Sequence, residues 1–180
     1  MSGTLISMPL AELVERLPSA RLAAGAGDVE VSSVALDSRT VLPGALFVAL
    51  SGSAAEGMDF LAQAMSFGAV AVAVGEVSVE ETCRLVGDMP VVACEDPRFT
   101  AAHAAAEVAG RPSEHLTVVA VTGTSGKTTT TYILESIFAA AGYRTGVVGT
   151  IEYRFAGRSM SSSLTTPDAV VLQGLLREMH

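Results

Sequence analysis

One stretch limits the possible folds of this chain more than any other: an apolar run that stops at two glycines and is followed by a helical segment. Residues 118–121 are Val-Val-Ala-Val, residues 122–129 are Thr-Gly-Thr-Ser-Gly-Lys-Thr-Thr, and residues 130–141 have a helical pattern. Strand, glycine-rich turn and helix in this order are the context of a phosphate-binding loop. Glycines let backbone N–H groups approach phosphate oxygens, and the first turn of a helix carries unpaired N–H donors.

The candidate nucleotide-binding residues are Gly123, Thr124, Ser125, Gly126, Lys127, Thr128 and Thr129. We expect Lys127 to reach the β- and γ-phosphates as a point charge, which makes it the candidate catalytic residue, and the Thr128 hydroxyl to ligate Mg²⁺. The common P-loop template has a glycine five positions before Gly126, where this chain has Val121, so the loop is tighter. The alternative interpretation of these residues is a capped helix start with a solvated lysine.

Composition excludes several classes of protein. The net charge of −8 argues against a general nucleic-acid binder, whose surface is basic. The longest apolar runs have the length of a strand, well below the roughly 20 residues of a membrane-spanning helix, and the N-terminal region lacks the basic start of a signal peptide. Cys83 and Cys94 form no CxxC motif, and His103 and His115 have no partner at metal-ligand spacing. We expect a monomer in a reducing cytoplasm, without membrane insertion.

Strand and helix patterns alternate along the chain and predict an α/β fold with a mainly parallel sheet. Helices are predicted over residues 5–17, 58–67, 79–86, 98–109, 130–141 and 169–179, and strands over residues 29–36, 46–50, 69–74, 91–93, 118–121 and 145–150. Residues 151–155 extend the last strand or pair beside it, residues 159–163 form a serine-rich loop, and Thr166 is the expected N-cap of the last helix.

A polar, proline-containing segment over residues 111–115 is the predicted domain boundary. It separates an N-terminal α/β domain, residues 1–112, from the start of a P-loop-type parallel α/β ATPase domain, residues 113–180. The second domain has too few elements to cover both faces of a parallel sheet. We therefore expect the chain to be the front portion of a longer protein and to be catalytically inactive alone.

The loop of residues 123–129 resembles the Gly-Thr-Asn-Gly-Lys-Thr-Thr loop of the Mur ligases, the ATP-dependent amide-forming enzymes of peptidoglycan synthesis. Further stretches are similar to the MurE branch of that family and occur in the family's order: Leu36-Asp37-Ser38-Arg39, residues 43–50, Gly57-Met58-Asp59-Phe60, Val148-Gly149-Thr150 and Thr165-Thr166-Pro167-Asp168. The resemblance covers nearly the whole chain. One position departs from it, because Ser125 replaces the usual Asn and has no NH₂ donor.

The resemblance implies a cytoplasmic ligase that uses ATP and Mg²⁺. Its substrates would be UDP-MurNAc-L-Ala-D-Glu and a diamino acid, meso-diaminopimelate or L-lysine, joined through an acyl phosphate. The residues that it assigns to the substrate are Leu36, Ser38, Ser53, Ala54 and Ala55 for the UDP end, and Thr165 and Thr166 for the muramoyl-peptide side. Three alternatives stay open: a MurF-like ligase, a cyanophycin synthetase-like ligase, and a non-catalytic nucleotide-binding module.

Overall fold

Two units follow one another along the chain, residues 1–111 and residues 112–180, in the computed structural model, which describes residues 6–50, 57–161 and 166–180. The first unit contains, in chain order, β1 (Met8–Pro9), α1 (Leu10–Glu15), β2 (Ala20–Ala24), β3 (Glu30–Val31), β4 (Ser33–Ala35), β5 (Ala45–Val48), α2 (Leu61–Ser66), β6 (Ala69–Gly75), α3 (Val79–Val86), β7 (Val91–Cys94) and α4 (Pro97–Val108). The second contains α5 (Lys127–Ala140), β8 (Gly146–Val148), β9 (Glu152–Phe155), β10 (Arg158–Ser161) and α6 (Ala169–Met179).

The described residues of the first unit form a five-stranded sheet in the order β2-β7-β6-β5-β4. β4, β5, β6 and β7 pair in parallel, and β2 pairs antiparallel with β7. These parallel strands are apolar on both faces, as expected where helices cover both sides. Phe47 and Val72 pack in one buried cluster with Leu61 of α2 and Val86 of α3. Leu46, the neighbour of Phe47 in β5, is fully buried too, and α4 contacts the same strands.

The cap of α4 follows directly from the sequence. Asp96 precedes the helix in an extended conformation, and its carboxylate accepts hydrogen bonds from the backbone N–H groups of Arg98 and Phe99 at 2.9 and 3.1 Å. Pro97 occupies the first turn, where its missing N–H has no consequence. The predicted N-cap and first-turn pair is therefore confirmed.

In the second unit, the described strands form an antiparallel sheet in the order β10-β9-β8. A two-residue turn joins β9 to β10, because Phe155 pairs directly with Arg158. Both turn residues have positive φ, 49° at Ala156 and 75° at Gly157. Positive φ at both central positions is the pattern of a type I′ hairpin turn, whose twist matches that of the flanking strands.

The α/β class is confirmed, and α3 and α6 have the predicted bounds. Several predicted elements are wrong in detail. Residues 118–121 lie among the described residues and form no strand, because a β-branched run becomes a strand only where it finds a pairing partner. Residues 158–161 form β10 instead of a loop, and the N-cap of α6 is Asp168, which accepts from the Val171 N–H, rather than Thr166.

The first unit also differs from its predicted elements. The helix predicted over residues 5–17 is limited to α1, since Met8–Pro9 pairs antiparallel with β3. The strand predicted over residues 29–36 is divided into β3 and β4, which belong to different sheets. Among the described residues, no helix is both long and apolar enough to cross a membrane.

Candidate nucleotide and substrate sites

Residues 123–126 of the glycine-rich loop lie directly before α5, and residues 127–129 form the start of that helix, which begins three residues earlier than the predicted residue 130. Gly126 is the N-cap residue in the left-handed conformation, with φ 79°, and Gly123 also has positive φ, 147°. A Cβ atom at Gly126 would meet no atom within 4 Å, so the requirement for glycine there comes from backbone conformation and not from crowding. Residues 122–126 are exposed to solvent.

The N-terminus of α5 has the electrostatic properties of an anion site. Its N-cap residue makes no side-chain hydrogen bond to the first turn, in contrast to α4, and no described residue in that turn is acidic. The helix is 14 residues long, and its dipole places partial positive charge at this end. The free N–H donors of the first turn and the dipole together favour a phosphate group.

Lys127 folds back over the loop and donates a hydrogen bond from Nζ to the Gly123 carbonyl oxygen at 2.6 Å. An ammonium group has three N–H donors, so this bond leaves two for an incoming phosphate. Lys127 is also the chain's only lysine. The arrangement brings the ammonium group of the only lysine over the loop.

Thr128, the predicted Mg²⁺ ligand, lies in the first turn of α5. Thr128 is partly buried at the start of α5, and its carbonyl oxygen accepts a hydrogen bond from Thr131 Oγ1 at 2.8 Å. The described residues contain no group of three or more His, Cys, Asp or Glu side chains placed for a metal ion. Mg²⁺ bound with a nucleotide needs few protein ligands, because phosphates and water complete its octahedron.

In the first unit, the residues predicted to hold the substrate's UDP end follow β4. Ser38 begins a short 3-10 turn, Ser38–Thr40, is 4% exposed, and donates a hydrogen bond from Oγ to Gln63 Oε1 of α2 at 2.5 Å. Leu36 is half-buried just before it. With its proton used by Gln63, the Ser38 hydroxyl has lone pairs but no donor to offer a ligand.

Asp37 and Arg39 on either side of Ser38 form a bidentate pair, with Nη2 to Oδ2 at 2.6 Å and Nε to Oδ1 at 2.9 Å. The side-chain and backbone hydrogen bonds from Arg39 lower the pKa of the Asp37 carboxyl. Asp37 also accepts from the Arg39 backbone N–H, which fixes the turn. The pair therefore holds the conformation of the segment that presents Leu36 and Ser38.

The remaining predicted substrate residues are placed only in part. Ser53, Ala54, Ala55 and Thr165 lie outside the described residues, and Thr166 is exposed just before α6. Sequence reasoning missed a cavity of about 130 Å³ at the carboxyl ends of β5 and β6, next to residue 50 and residue 57. Its wall includes Met58, Pro97 and the fully exposed side chain of Val77. Ligands of parallel sheets bind at the carboxyl ends of the strands, which is the signal that could have found it.

Comparisons with known proteins find that the sequence is similar to the Mur ligases. Residues 30–116 match the Mur ligase family catalytic domain, and residues 121–180 match the Mur ligase middle domain. A relative from Streptomyces coelicolor, UDP-N-acetylmuramoyl-L-alanyl-D-glutamate–2,6-diaminopimelate ligase, is 39% identical over 96% of this chain and 33% of its own length. The Rhizobium meliloti protein of the same name is 42% identical over 89% of this chain and 32% of its own length. The chain thus spans about a third of the curated relatives it matches.

Solved structures agree on the fold. A structure of UDP-N-acetylmuramoyl-L-alanyl-D-glutamate–2,6-diaminopimelate ligase has a TM-score of 0.68 and 23% identity, and covers 97% of this chain and 34% of that one. MurF ligase from Thermotoga maritima, solved in complex with ADP, has a TM-score of 0.51 and 27% identity, over 80% of this chain and 28% of that one.

Proposed function

This chain belongs to the Mur ligase family, and on that premise we propose that it supplies the UDP-substrate and nucleotide sites of an ATP-dependent amide ligase. The ligase adds the third amino acid to UDP-MurNAc-L-Ala-D-Glu in peptidoglycan synthesis. Residues 1–112 form the substrate domain, and residues 113–180 begin the ATP-binding domain. The observation that carries the proposal is the loop at α5, where two glycines with positive φ precede an uncapped helix and the only lysine covers the loop.

The chemistry has two steps. A carboxylate oxygen of the substrate's glutamate attacks the γ-phosphorus of ATP, which forms an acyl phosphate and releases ADP. The amine of the incoming amino acid then attacks the acyl carbon, the carbon–oxygen bond to phosphate breaks, and the amine loses a proton. The protein contributes mainly position and charge neutralisation to such a reaction.

The loop residues have distinct roles in this proposal. The two remaining N–H donors of Lys127 bind the β- and γ-phosphate oxygens, and the first-turn N–H groups of α5 hold the α- and β-phosphates. Thr128 contributes its hydroxyl to Mg²⁺, which neutralises charge on the phosphates when it is bound. Gly123, Thr124, Ser125, Gly126 and Thr129 shape the loop around the phosphate chain.

The UDP end of the substrate occupies the carboxyl edge of the first unit's parallel strands. Leu36 and the turn that begins at Ser38 lie after β4, and the cavity with Met58 and Val77 lies after β5 and β6. Ser53, Ala54 and Ala55, which lie outside the described residues, are assigned to the same end of the substrate by the family resemblance. The family resemblance assigns the muramoyl-peptide side of the substrate to Thr165 and Thr166.

We further propose 2,6-diaminopimelate as the added amino acid, because the relatives reported above are named as ligases for it. L-Lysine is the competing diamino acid. The MurF-like ligase and the non-catalytic module are the competing functions, and the names of these relatives favour the diaminopimelate ligase over both. The cytoplasm, with its nucleotides and reducing conditions, remains the expected location, and the monomer the expected state.

Titration calorimetry with ATP and Mg²⁺ tests the nucleotide site in the 180-residue chain. Lys127→Ala is expected to weaken ATP binding about 10- to 150-fold, since a hydrogen bond to a charged group contributes about 1.5–3 kcal/mol. Arg144→Ala removes an exposed positive charge of the same unit and serves as the control, with affinity close to that of the native chain. Equal affinities for Lys127→Ala and native protein would overturn the loop assignment.

Thermal protection distinguishes the substrate classes. UDP-MurNAc-L-Ala-D-Glu is expected to raise the unfolding temperature of residues 1–111, and the corresponding tripeptide nucleotide much less. Stronger protection by the tripeptide nucleotide would favour the MurF-like ligase. No protection by either nucleotide, with ATP still bound, would favour the nucleotide-binding module.

A further inference from the structure

A polar network joins three elements of the second unit. Arg154 of β9 donates to Glu152 Oε1 at 3.0 Å through Nη1 and to Glu135 of α5 through Nη2. Tyr132 of α5 donates its hydroxyl to the same Glu152 oxygen at 3.0 Å, and the Arg154 guanidinium lies 5.0 Å from the centroid of the Tyr132 ring. Ser159 of β10 donates to the other Glu152 oxygen.

The placement of these five side chains follows from the hairpin. Glu152 and Arg154 are two residues apart in β9 and therefore project from the same face, and Ser159 pairs opposite Arg154 in the register. That face is directed at α5. Glu135 and Glu152 have side chains only 18% and 20% exposed, so both carboxylates are held close to Arg154 and largely away from bulk water.

The network matters because it links α5, the helix that follows the nucleotide loop, to the strand β9. Within residues 127–140, all of which the structure describes, no residue is buried, and Ile133 and Ile137 are each more than half exposed. The helix also contacts β8. The hydrogen bonds of Tyr132 and Glu135 to β9 are therefore specific side-chain contacts that bear on where α5 lies.

We propose that Arg154 and Glu152 are positioning residues for the nucleotide loop, which hold α5, and with it Lys127 and the first-turn N–H donors, in place through Tyr132 and Glu135. This inference rests on the proposed ATP site. The hydrogen bonds from Ser159 and Tyr132 lower the pKa of the Glu152 carboxyl, as expected for a carboxylate that stays charged within the network.

Arg154→Met tests the proposal, because it keeps much of the side chain's length and apolar stem and removes every hydrogen bond of the guanidinium. ATP affinity, measured by calorimetry well below the unfolding temperature of each variant, is expected to fall roughly fivefold or more. Arg158→Met is the matched control on the neighbouring strand, where the arginine side chain is exposed and lies 3.5 Å from Glu178. Its ATP affinity is expected to stay within a factor of two of the native value, the scale on which exposed pairs act.

Two further variants separate positioning from simple stability. Arg154→Lys keeps the charge and reaches one carboxylate, so it is expected to recover part of the lost affinity. A double-mutant cycle combines Arg154→Met with Glu135→Gln. The fold-loss in ATP affinity of the double variant should be smaller than the product of the two single fold-losses, because both substitutions remove the same contact. Lower thermal stability with native ATP affinity in the folded protein would overturn the inference and leave the ATP site intact. Absence of ATP binding by the native chain would overturn the proposed function and this inference together.

Discussion

Two helices of similar length, α4 in the first unit and α5 in the second, are held in opposite ways. α4 has a side-chain cap from Asp96 and buries several residues, among them Ala101, Ala104 and Val108. α5 has no side-chain cap and, within its fully described length, no buried residue. A capped N-terminus uses its N–H donors for structure, whereas an uncapped one behind a glycine loop leaves them to a ligand. The comparison indicates that burial and a cap stabilise α4, whereas α5 leaves its N-terminal N–H groups available to the proposed nucleotide.

The same contrast holds for the units as wholes. The parallel strands β5, β6 and β7 consist largely of residues with no measurable exposure, and burial of apolar area is the main favourable contribution to folding. In the described part of the second unit, buried apolar side chains are few, with Val147, Phe155, Leu175 and Leu176 among them. The second unit therefore depends more on hydrogen bonds and ion pairs, whose net contributions are smaller.

The largest expected effect comes from the same truncation made in each unit. Phe47→Ala removes a ring that is 1% exposed at the centre of the parallel sheet, and should cost about 3–5 kcal/mol in the free energy of unfolding of the first unit. Phe138→Ala removes a ring that is 38% exposed on α5 and in edge contact with Tyr143, and should cost about 1 kcal/mol or less. Hydrogen-exchange mass spectrometry measures both units in one experiment. Similar losses of protection would refute the contrast between them.

Glu107 tests whether charge matters in the well-packed unit. Its side chain is 4% exposed and paired with Arg111 at 2.5 Å and Arg16 at 3.4 Å. Burial opposes its ionisation, but hydrogen bonds from Arg111 and Arg16 outweigh burial and lower its pKa. Because both arginines are about half exposed, we expect Glu107→Gln to cost only about 1–2 kcal/mol.

The pH dependence of that cost has a definite sign. A lowered folded-state pKa means that the pair stabilises the fold fully above the ordinary glutamate pKa, and that this stabilisation is lost as pH falls through the lowered value. The free energy of unfolding, measured by urea denaturation with far-UV circular dichroism, should therefore fall less steeply at acid pH in Glu107→Gln than in the native chain. Glu80→Gln, which removes an exposed pair with Arg84, is the control and should leave the profile unchanged. If Glu107→Gln lost stability at acid pH as steeply as the native chain, the Glu107 carboxylate would be excluded as a cause of that loss.

The secondary structure was predicted from the sequence more accurately in the first unit than in the second. In the first unit, local signals agree with the packing: α3 is bounded by Gly87 and is predicted to the residue, and Asp96 caps α4 as predicted. β2 was missed because Arg21 and its neighbouring alanines give no apolar alternation, and the strand exists through its pairing with β7. Pairing partners are distant in sequence, so a local pattern does not reveal them.

In the second unit the glycine loop was predicted and its surroundings were not. The positions of Gly126 and Lys127 follow from local chemistry, which sequence carries directly. The strand expected over residues 118–121 and the network around Arg154 depend on contacts between separate segments. For the substrate site, the sequence identifies Ser38, but its hydrogen bond to Gln63 of α2 is visible only once α2 packs against the turn.

Gly126→Ala should weaken the uncapped helix start without affecting the first unit. An alanine in the left-handed conformation costs about 1–2 kcal/mol, and no neighbouring atom adds a clash. We expect ATP affinity to fall about 5- to 30-fold in calorimetry, with native exchange protection in residues 1–111. Asp96→Ala should have the converse effect. It should lower the free energy of unfolding of the first unit by about 1 kcal/mol and leave ATP affinity unchanged. If Gly126→Ala bound ATP normally, the left-handed N-cap would be unimportant for the site.

The smallest expected effect is a stabilisation of the second unit by a substitution in the turn between β9 and β10. Ala156 is exposed and has φ 49°, a conformation that is costly for alanine and tolerated by asparagine, and Asn-Gly is the preferred pair for a type I′ turn. Ala156→Asn should raise the free energy of local opening of the hairpin by about 0.5–1 kcal/mol, measured as slower amide exchange in β9 and β10. Ala156→Val, with a β-branched side chain at positive φ, should shift exchange in the opposite direction.

Because β9 and β10 carry Arg154, Glu152 and Ser159, slower opening of the hairpin should also bring a small gain in ATP affinity. A stabilised hairpin with unchanged affinity would mean that α5 keeps its position when the hairpin opens, and that the second unit holds its loop by contacts other than this network.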